Sequence, residues 1–526
     1  MKEDKKTTCD FEGCSRVVYS DLKQCVLHCD KDIDSSKLKI LSALFPEALI
    51  EYILESKNFK KLIDDHNFAK DLLETYFKGN TGNVSGINPE EVKCLVIFNN
   101  IKFPVRVFPE KPFNGNIDYL EILKKLHSVS FISCDFWEGT FNNLSIPYYF
   151  HNCNFFNNWE IKETGLLEDS KTLYSNCFFY KHTKIIPNSG GCINSPLFVS
   201  CEFKETLNLQ NTRFRAQVFF ENIYPGKIKN IHITNCEFDK RFTLNGFNNV
   251  INHVNIKNST FKSKVNLKNN HIIKEIYLND SNFEDIFDSY GSNFHQFNTH
   301  KCIFQDYIGF EHSEFGQENK TNKEQIATFL YTTFESISNF RNTKFHNGLD
   351  IENSNFKETP NFLNSGVNPE NTNRETFRII KNSFDSVGNN IEANRFFALE
   401  MSKYKDELLK SKNKDDKQKL FVFKWNKRFS NFGQSYRRPI YWLLGLLIPL
   451  YLLKLGKDCN LLYKIYPPLN NIIECISKHF NGVAQTFLPF ERFLIEGMEF
   501  ISLCFYIVFV ILIWQIIVAV KRHTKR

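Results

Sequence analysis

Residues 332–356 read TTFESISNFRNTKFHNGLDIENSNF, and a triad of small residue, any residue and phenylalanine occurs three times in them at intervals of eleven. The phenylalanines of these triads are Phe334, Phe345 and Phe356. A second apolar residue, Ile351, falls six positions after Phe345, so a block of eleven divides into six and five. This division fits neither the 3.6-residue period of an α-helix nor a heptad.

The same triad continues on the N-terminal side of this stretch through the middle of the chain. Its phenylalanines are Phe136, Phe155, Phe179, Phe203, Phe214, Phe238, Phe261, Phe283, Phe294, Phe304, Phe315, Phe334, Phe345 and Phe356. Residues two positions apart lie on the same face of an extended segment, so each phenylalanine and its small partner are expected to point inward together. Short extended segments with a turn every five or six residues predict a solenoid with phenylalanines stacked in its core.

Cysteine often takes the small position of the triad, which serine or threonine takes elsewhere. These cysteines are Cys134, Cys153, Cys177, Cys201, Cys236 and Cys302. A free cysteine packs as a small hydrophobe, so we interpret them as core residues rather than as metal or redox sites.

The triads resemble the repeat of the pentapeptide-repeat family, which has a central Phe or Leu and a small residue two positions earlier. The resemblance covers residues 130–362, in a repeat domain that we bound at 130–365, and implies a mainly β fold, a right-handed quadrilateral β-helix with about four repeats per coil. Insertions over 187–196 and 316–325 interrupt the period, and coils there are expected to bulge. At about 22 residues per coil and about 4.8 Å of rise, the strand spacing, the segment makes a rod about 50 Å long.

Residues 1–34 contain a cluster of metal-ligand residue types. Cys9, Cys14, Cys25 and His28 have spacings that allow three thiolates and one imidazole to meet on a tetrahedral, structural zinc ion. Cys29 is an alternative fourth ligand, and idle thiols in a disordered leader are the alternative to a metal site. Some bacterial pentapeptide-repeat proteins begin with a similar Cys and His segment.

Helical patterns flank the predicted solenoid. Residues 35–129 have apolar residues at helical spacing followed by a mixed segment, and we expect them to cover the first coil, since an open solenoid end exposes unpaired strand edges. Residues 366–438 predict a helical neck, with helices over 375–387 and 391–409, and a basic linker.

Residues 439–526 predict a membrane hairpin with spans over 440–455 and 500–520. Pro449 lies in the first span, and Gln515, the strongly polar residue of the second, is expected to pair helices rather than conduct ions. The stretch 431–439 resembles the entry to the first membrane helix of anchored pentapeptide-repeat proteins, and 486–490, with Pro489, resembles a motif in their connecting loop. Basic residues flank the hairpin outside both spans, which predicts a multi-pass protein of the bacterial inner membrane with both termini in the cytoplasm.

Composition and charge exclude several classes of protein. The chain has 526 residues, 54 phenylalanines and a net charge of +7, and its basic excess lies near the ends, so nucleic acid is not the expected partner. A negative mean hydropathy excludes a polytopic transporter. The 15 cysteines are expected to be reduced, and the N-terminal residues do not resemble a secretory signal. Phosphate-loop, nucleophile-elbow and HExxH motifs are absent, so we expect a non-enzyme.

Three functions compete as explanations of these features. The first is a membrane-anchored cytoplasmic rod that acts as a scaffold or sensor through an unidentified protein partner, with the lipid bilayer and further copies of itself as other partners. The second is a membrane effector or channel-like protein, suited to defence, that oligomerises through its hairpin. The third, DNA mimicry against a topoisomerase, is known for some soluble family members. It requires an acidic surface, which the near-neutral repeat region disfavours.

Overall fold

The computed structural model divides into two compact units, residues 1–371 and 372–526. The residues that it describes are 8–19, 22–32, 35–66, 70–78, 94–106, 118–141, 144, 146–161, 172–187, 191–219, 227–244, 250–270, 272–318, 325–458, 477–478, 480–481 and 494–524.

The first unit is built on a parallel β-solenoid, as predicted. Its strands form four sheets, in which neighbouring strands come from successive coils. Sheet 1 contains β1 (Leu95–Asn99), β3 (Ser128–Ile132), β5 (Tyr148–His151), β8 (Tyr174–Ser175) and β12 (Phe198–Val199). Sheet 2 contains β2 (Lys102–Phe103), β4 (Asp135–Phe136), β6 (Asn154–Phe155), β7 (Trp159–Ile161), β9 (Phe178–Phe179), β10 (Thr183–Ile185), β13 (Glu202–Gln210), β15 (Lys227–Thr234), β18 (Ile251–Lys257), β21 (Ile273–Asn279), β24 (Asn293–His300), β27 (Glu314–Phe315), β28 (Ala327–Leu330), β31 (Lys344–Phe345), β32 (Leu349–Asp350) and β34 (Gly366–Val367).

The two remaining sheets are narrower. Sheet 3 contains β11 (Cys192–Ile193), β14 (Arg213–Phe214), β16 (Glu237–Phe238), β19 (Thr260–Phe261), β22 (Asn282–Phe283), β25 (Ile303–Phe304), β29 (Thr333–Phe334) and β33 (Asn355–Phe356). Sheet 4 contains β17 (Phe242–Thr243), β20 (Val265–Asn266), β23 (Phe287–Asp288), β26 (Ile308–Gly309) and β30 (Ser338–Asn339).

These sheets give each coil four sides. Sheet 2 covers two sides, because its long strand β13 pairs with both β9 and β10. The third side is formed by sheet 1 in the first coils and by sheet 4 in the later ones, and a bridge between Phe198 and Phe219 links the two. Sheet 3 forms the fourth side. Equivalent small residues of neighbouring coils, such as Cys236, Ser259 and Ser281, are 23 and 22 positions apart, close to the predicted coil length.

The corners of the coil depend on the residue before each small residue. In every triad this residue has a positive φ, a conformation that asparagine, aspartate and glycine tolerate better than other residues. These corner residues are Ser133, Asn152, Asn176, Ser200, Asn211, Asn235, Asn258, Asp280, Gly291, Lys301, His312, Tyr331, Asn342 and Asn353. The backbone therefore turns at this position, and the next two residues resume an extended path.

Helices precede and cover the first coil within the same unit. They are α1 (Ser35–Glu55), α2 (Lys57–His66), α3 (Lys70–Lys78) and α4 (Tyr119–Leu123). Phe45 of α1 packs edge-on against Phe103, with ring centroids 5.4 Å apart, and so closes the end of the core. The first coil already begins at Leu95, because β1 and β2 pair with β3 and β4 inside the segment that we predicted as the cap.

The second unit is helical. It contains α5 (Arg374–Ser386), α6 (Asn390–Lys410), α7 (Lys414–Ser430), α8 (Arg437–Asp458) and α9 (Glu499–Thr524). The side chains of Asn373, Asn389 and Asn413 accept backbone N–H groups and cap the first three of these helices. Both predicted helices of the neck are present as α5 and α6.

One of the two predicted membrane spans is supported. In the part of the chain that the structure describes, Glu499–Arg522 is the one helix long and apolar enough to cross a membrane. α8, which contains Pro449, is a helix as predicted, but only 15 uncharged residues separate Arg438 from Lys454. At about 1.5 Å per residue this stretch is about 22 Å long, shorter than the hydrocarbon core of about 30 Å, so the two-span hairpin is not supported.

Candidate metal centre

A short folded segment brings the predicted ligands together. An antiparallel bridge joins Thr8 and Val17, and a turn at Gly13, with φ of 80°, lies between Cys9 and Cys14. The backbone N–H of His28 donates to the carbonyl of Cys25, which places the second ligand pair on one turn. The four ligand atoms lie within 4.8 Å of one another.

The distances between ligand atoms match a tetrahedral zinc site. Sγ of Cys14 lies 3.8 Å from Sγ of Cys25, and Nδ1 of His28 lies 3.6 Å from Sγ of Cys9 and 3.4 Å from Sγ of Cys25. With Zn–S of about 2.3 Å and Zn–N of about 2.0 Å, a tetrahedron has S–S edges of about 3.8 Å and S–N edges of about 3.5 Å. The four residues therefore fit a metal ion of this size and preference.

Burial and local donors set the protonation states of the ligands. Burial, with the nearby cations Arg16 and Lys31, lowers the pKa of His28 to about 4, so its imidazole is neutral at pH 7. Burial raises the pKa of Cys25 to about 12. Burial also raises the pKa of Cys9, but backbone N–H donors, first that of Cys25 at 3.2 Å, outweigh this effect and lower it. Binding of a metal would displace the thiol protons.

Cys29, the alternative fourth ligand, has a different environment. Its Sγ contacts the carbonyl of Val26 at 3.7 Å and the ammonium of Lys31 at 3.3 Å, outside the ligand cluster. Lys31 is buried, donates also to the carbonyls of Val26 and Cys29, and lies 5.6 Å from the ring of Phe45. The choice between His28 and Cys29 therefore falls on His28.

The predicted core phenylalanines are divided between two sides of the coil. On sheet 3, stacked rings run from Phe214 to Phe356, with centroids 4.5 Å apart for Phe238 and Phe261 and 5.1 Å for Phe261 and Phe283. The others stack on sheet 2, where isoleucines replace phenylalanine in the middle coils. This second column contains Phe136, Phe155, Phe179, Phe203, Ile228, Ile251, Ile273, Phe294, Phe315 and Phe345. Phe356, at the end of sheet 3, is only half-buried.

Sequence reasoning missed a third aromatic column, on sheet 1. It stacks Phe98, Phe131, Phe150, Tyr174 and Phe198 at centroid separations of 5.0 to 5.5 Å. Only Tyr174 has a small residue of the triad type two positions earlier, Thr172. The other four follow Val96, Val129, Tyr148 and Pro196 at this spacing. The signal that was available is the alternation of inward and outward side chains in 95–99 and 148–151.

The predicted membrane residues fall into three situations. Pro449 lies inside α8, and Gln515 is half-buried on α9. Pro489 lies outside the residues that the structure describes.

No family model, curated protein or solved structure matches this chain.

Proposed function

We propose that this protein is a non-enzymatic, membrane-anchored member of the pentapeptide-repeat family whose solenoid acts as a protein-interaction scaffold or sensor at the bacterial inner membrane. The separation of inward and outward residues in the solenoid supports this proposal. Inward residues fill the core, while outward residues of the strands alternate with them and remain available for contacts, as in β18.

The outward surface of the longest strands is the main support for the scaffold proposal. We call it the polar wall, the outward side of the five long strands β13, β15, β18, β21 and β24. One row across it contains Asn208, His232, Asn255, Tyr277 and Asn298, which lie in register on successive coils. Amide, imidazole and phenol groups at regular strand spacing offer both donors and acceptors of hydrogen bonds. Such a surface suits a folded protein partner with a polar face better than nucleic acid.

The candidate metal centre has a structural role in this proposal. Its four ligands all come from the protein, which is the composition of structural rather than catalytic zinc sites. It joins the first coil through Leu27, whose carbonyl accepts the N–H of Lys102, the first residue of β2, at 2.9 Å. The ion would therefore hold the first residues against the start of the solenoid.

The anchor is α9, and its C-terminal end lies beside the start of α8. The Arg522 guanidinium donates to the carbonyl of Phe432, and the side-chain amide of Asn394 donates to the carbonyl of Arg522 at 3.1 Å. α8 thus runs back along α9 from the end where both groups of basic residues lie. By the positive-inside rule this basic end of α9 faces the cytoplasm.

Membrane fractionation tests the anchor. We expect the full chain to remain in the membrane pellet after alkaline carbonate washing, and a chain ending at Asp458 to be released. The control Gln515→Leu leaves the apolar helix intact and should stay in the pellet. Release of the full chain would contradict the anchor.

Capture of partners tests the scaffold. His253→Ala with Asn255→Ala changes two outward residues of the polar wall, whereas Thr260→Ala with Asn282→Ala changes outward residues of sheet 3. We expect proteins cross-linked to the full chain in cells to be lost in the first variant and kept in the second. Equal capture by both variants would place the interaction elsewhere.

A membrane effector remains the alternative function, and expression separates it from a scaffold. If the full chain depolarises cells and arrests growth while a chain stopped before Arg437 does neither, the effector is favoured. A scaffold predicts that membrane potential is the same for both chains.

A further inference from the structure

Helix α7 has an exposed apolar stripe opposite the face by which it packs. Phe421 is 64 % exposed, Val422 62 % and Trp425 38 %. The opposite face carries Phe423, whose ring lies 5.1 Å from that of Tyr404 on α6, and the buried Ser430. Because residues four apart share a helix face, Phe421, Trp425 and Phe429 form one continuous strip, which we call the apolar stripe.

Basic side chains line one edge of the apolar stripe. Lys417, Lys424 and Arg428 follow one another at helical spacing, and all three are exposed. The acidic residues of this helix, Asp415 and Asp416, lie in its first turn, and Asp416 pairs with Lys419. Lys424 and Arg428 make no ion pair with a described residue. The edge of the stripe therefore presents uncompensated positive charge.

The apolar stripe continues towards the anchor. The ring of Phe429 lies 5.5 Å from that of Trp442 on α8, and the Arg428 guanidinium lies between Trp425 and Trp442, at 5.8 Å and 5.3 Å from their rings. Beyond Trp442, exposed apolar side chains continue along α8. The turn between α7 and α8 also holds the Arg522 end of α9. The stripe thus lies at the level where the anchor leaves the bilayer.

We propose that α7 is an interfacial helix that lies in the headgroup layer of an anionic membrane leaflet, with the apolar stripe inserted and Lys417, Lys424 and Arg428 on lipid phosphates. This inference rests on the proposed membrane anchor. An apolar face bordered by lysine, arginine and tryptophan is the composition of helices that bind in the plane of the interface. Positive charge next to a span attracts anionic lipids, and a surface of zwitterionic lipids does not provide this attraction.

Quenching of Trp425 by brominated lipid tests the proposal in the full chain. The chain has 5 tryptophans, and Trp442→Phe with Trp514→Phe leaves Trp425 and the two solenoid residues Trp137 and Trp159. The probe is a vesicle of phosphatidylcholine, alone or mixed with phosphatidylglycerol, with bromine on the acyl chains near the headgroup. We expect strong quenching in the mixed vesicles, lost on Trp425→Phe, and clearly weaker quenching in phosphatidylcholine alone.

Charge variants separate the lipid contact from other occupants of the stripe. Lys417→Gln, Lys424→Gln and Arg428→Gln together should reduce quenching in mixed vesicles to the level in phosphatidylcholine, while the control Lys410→Gln with Lys412→Gln should not. Equal quenching in both lipids, or no quenching, overturns the proposal. Shielding of Trp425 that increases with the protein-to-lipid ratio would assign the stripe to a second copy and also overturns it.

Flotation of the same vesicles distinguishes this result from a failure of the anchor. A chain that floats with the vesicles but leaves Trp425 unquenched contradicts only the interfacial helix. A chain that does not float with vesicles of either composition contradicts the anchor, and the interfacial helix with it.

Discussion

The corner position of the coil explains why asparagine is frequent in the repeats, which the triads alone do not explain. The residue before each small residue has φ near 50°, where the Cβ of most residues approaches the following carbonyl, and asparagine takes this place in half of the triads. The periodicity of phenylalanine predicted the core because burial repeats with the coil. It did not separate corner asparagines from surface asparagines, because both lie among polar residues.

Tyr331 is an exception to this rule and gives a test of it. It has φ of 52° and is 58 % exposed, and its ring meets His300 edge-on. Replacement of Tyr331 by asparagine should raise the free energy of unfolding by about 1 kcal/mol, since the left-handed conformation costs other residues about 1–2 kcal/mol. Tyr331→Ala also loses the ring but has no side-chain amide to hydrogen-bond locally in this conformation, and should not be stabilised. Equal midpoints of urea unfolding for the two variants would refute the corner assignment.

Phe261 tests the stacked core. It is fully buried and stacks on Phe238 and Phe283. Phe261→Ala should lower the free energy of unfolding by about 3–5 kcal/mol, the usual range for a buried phenylalanine. Phe356→Ala, at the half-buried end of the same column, is the matched control and should have a smaller effect. Urea unfolding followed by circular dichroism measures both variants. Equal losses of stability would argue against a column in which burial decreases towards Phe356.

The N-terminal segment shows how far cysteine spacing predicts a site. Spacing alone selected Cys9, Cys14 and Cys25, but it left His28 and Cys29 as alternatives because they are adjacent. The structure separates them by orientation, since Nδ1 of His28 faces two ligand thiols and Sγ of Cys29 faces Lys31. The stacking of Phe11 on His28, at 4.2 Å, was not predicted because it depends on how the turn closes.

Metal content of the full chain tests the site. We expect one zinc ion per chain, lost on Cys14→Ser and retained on Cys29→Ser, as measured by elemental analysis after dialysis. A chelator should remove the ion and expose the N-terminal segment to protease without changing the β signal of the solenoid. Equal zinc loss in the two variants would contradict the assignment of the ligands.

The turn between α7 and α8 has three successive residues with positive φ, Asn431, Phe432 and Gly433. A Cβ on Gly433, at φ of 79°, would lie 2.7 Å from Nη1 of Arg522. Gly433→Ala should therefore destabilise the helical unit by at least about 1 kcal/mol from backbone strain alone.

Thermal unfolding of the full chain in detergent measures the effect of Gly433→Ala. Gly445→Ala in α8, where no atom lies within 4 Å of the added Cβ, is the control and should not lower the midpoint. An unchanged midpoint for both variants would show that the turn and Arg522 do not restrain each other.

At the scale of the whole molecule, a long-period repeat was easier to predict than a membrane topology. The repeat is supported by many independent triads, so single interruptions such as 316–325 do not hide it. The predicted hairpin depended on two apolar runs. Charged residues at both ends of α8 leave an uncharged stretch that is too short to be counted as a span. The surface proposed to bind a partner was also beyond prediction, because outward residues carry no periodic signal.

An experimental structure of the full chain in detergent is the most direct test of the four-sided, phenylalanine-filled solenoid. The measured quantity is the separation of successive ring centroids on sheet 3. We predict parallel strands, with centroids about 4.5 Å apart for Phe238 and Phe261 and about 5.1 Å for Phe261 and Phe283. Phenylalanines distributed over helices, or turned towards solvent, would contradict the fold and the proposed scaffold together.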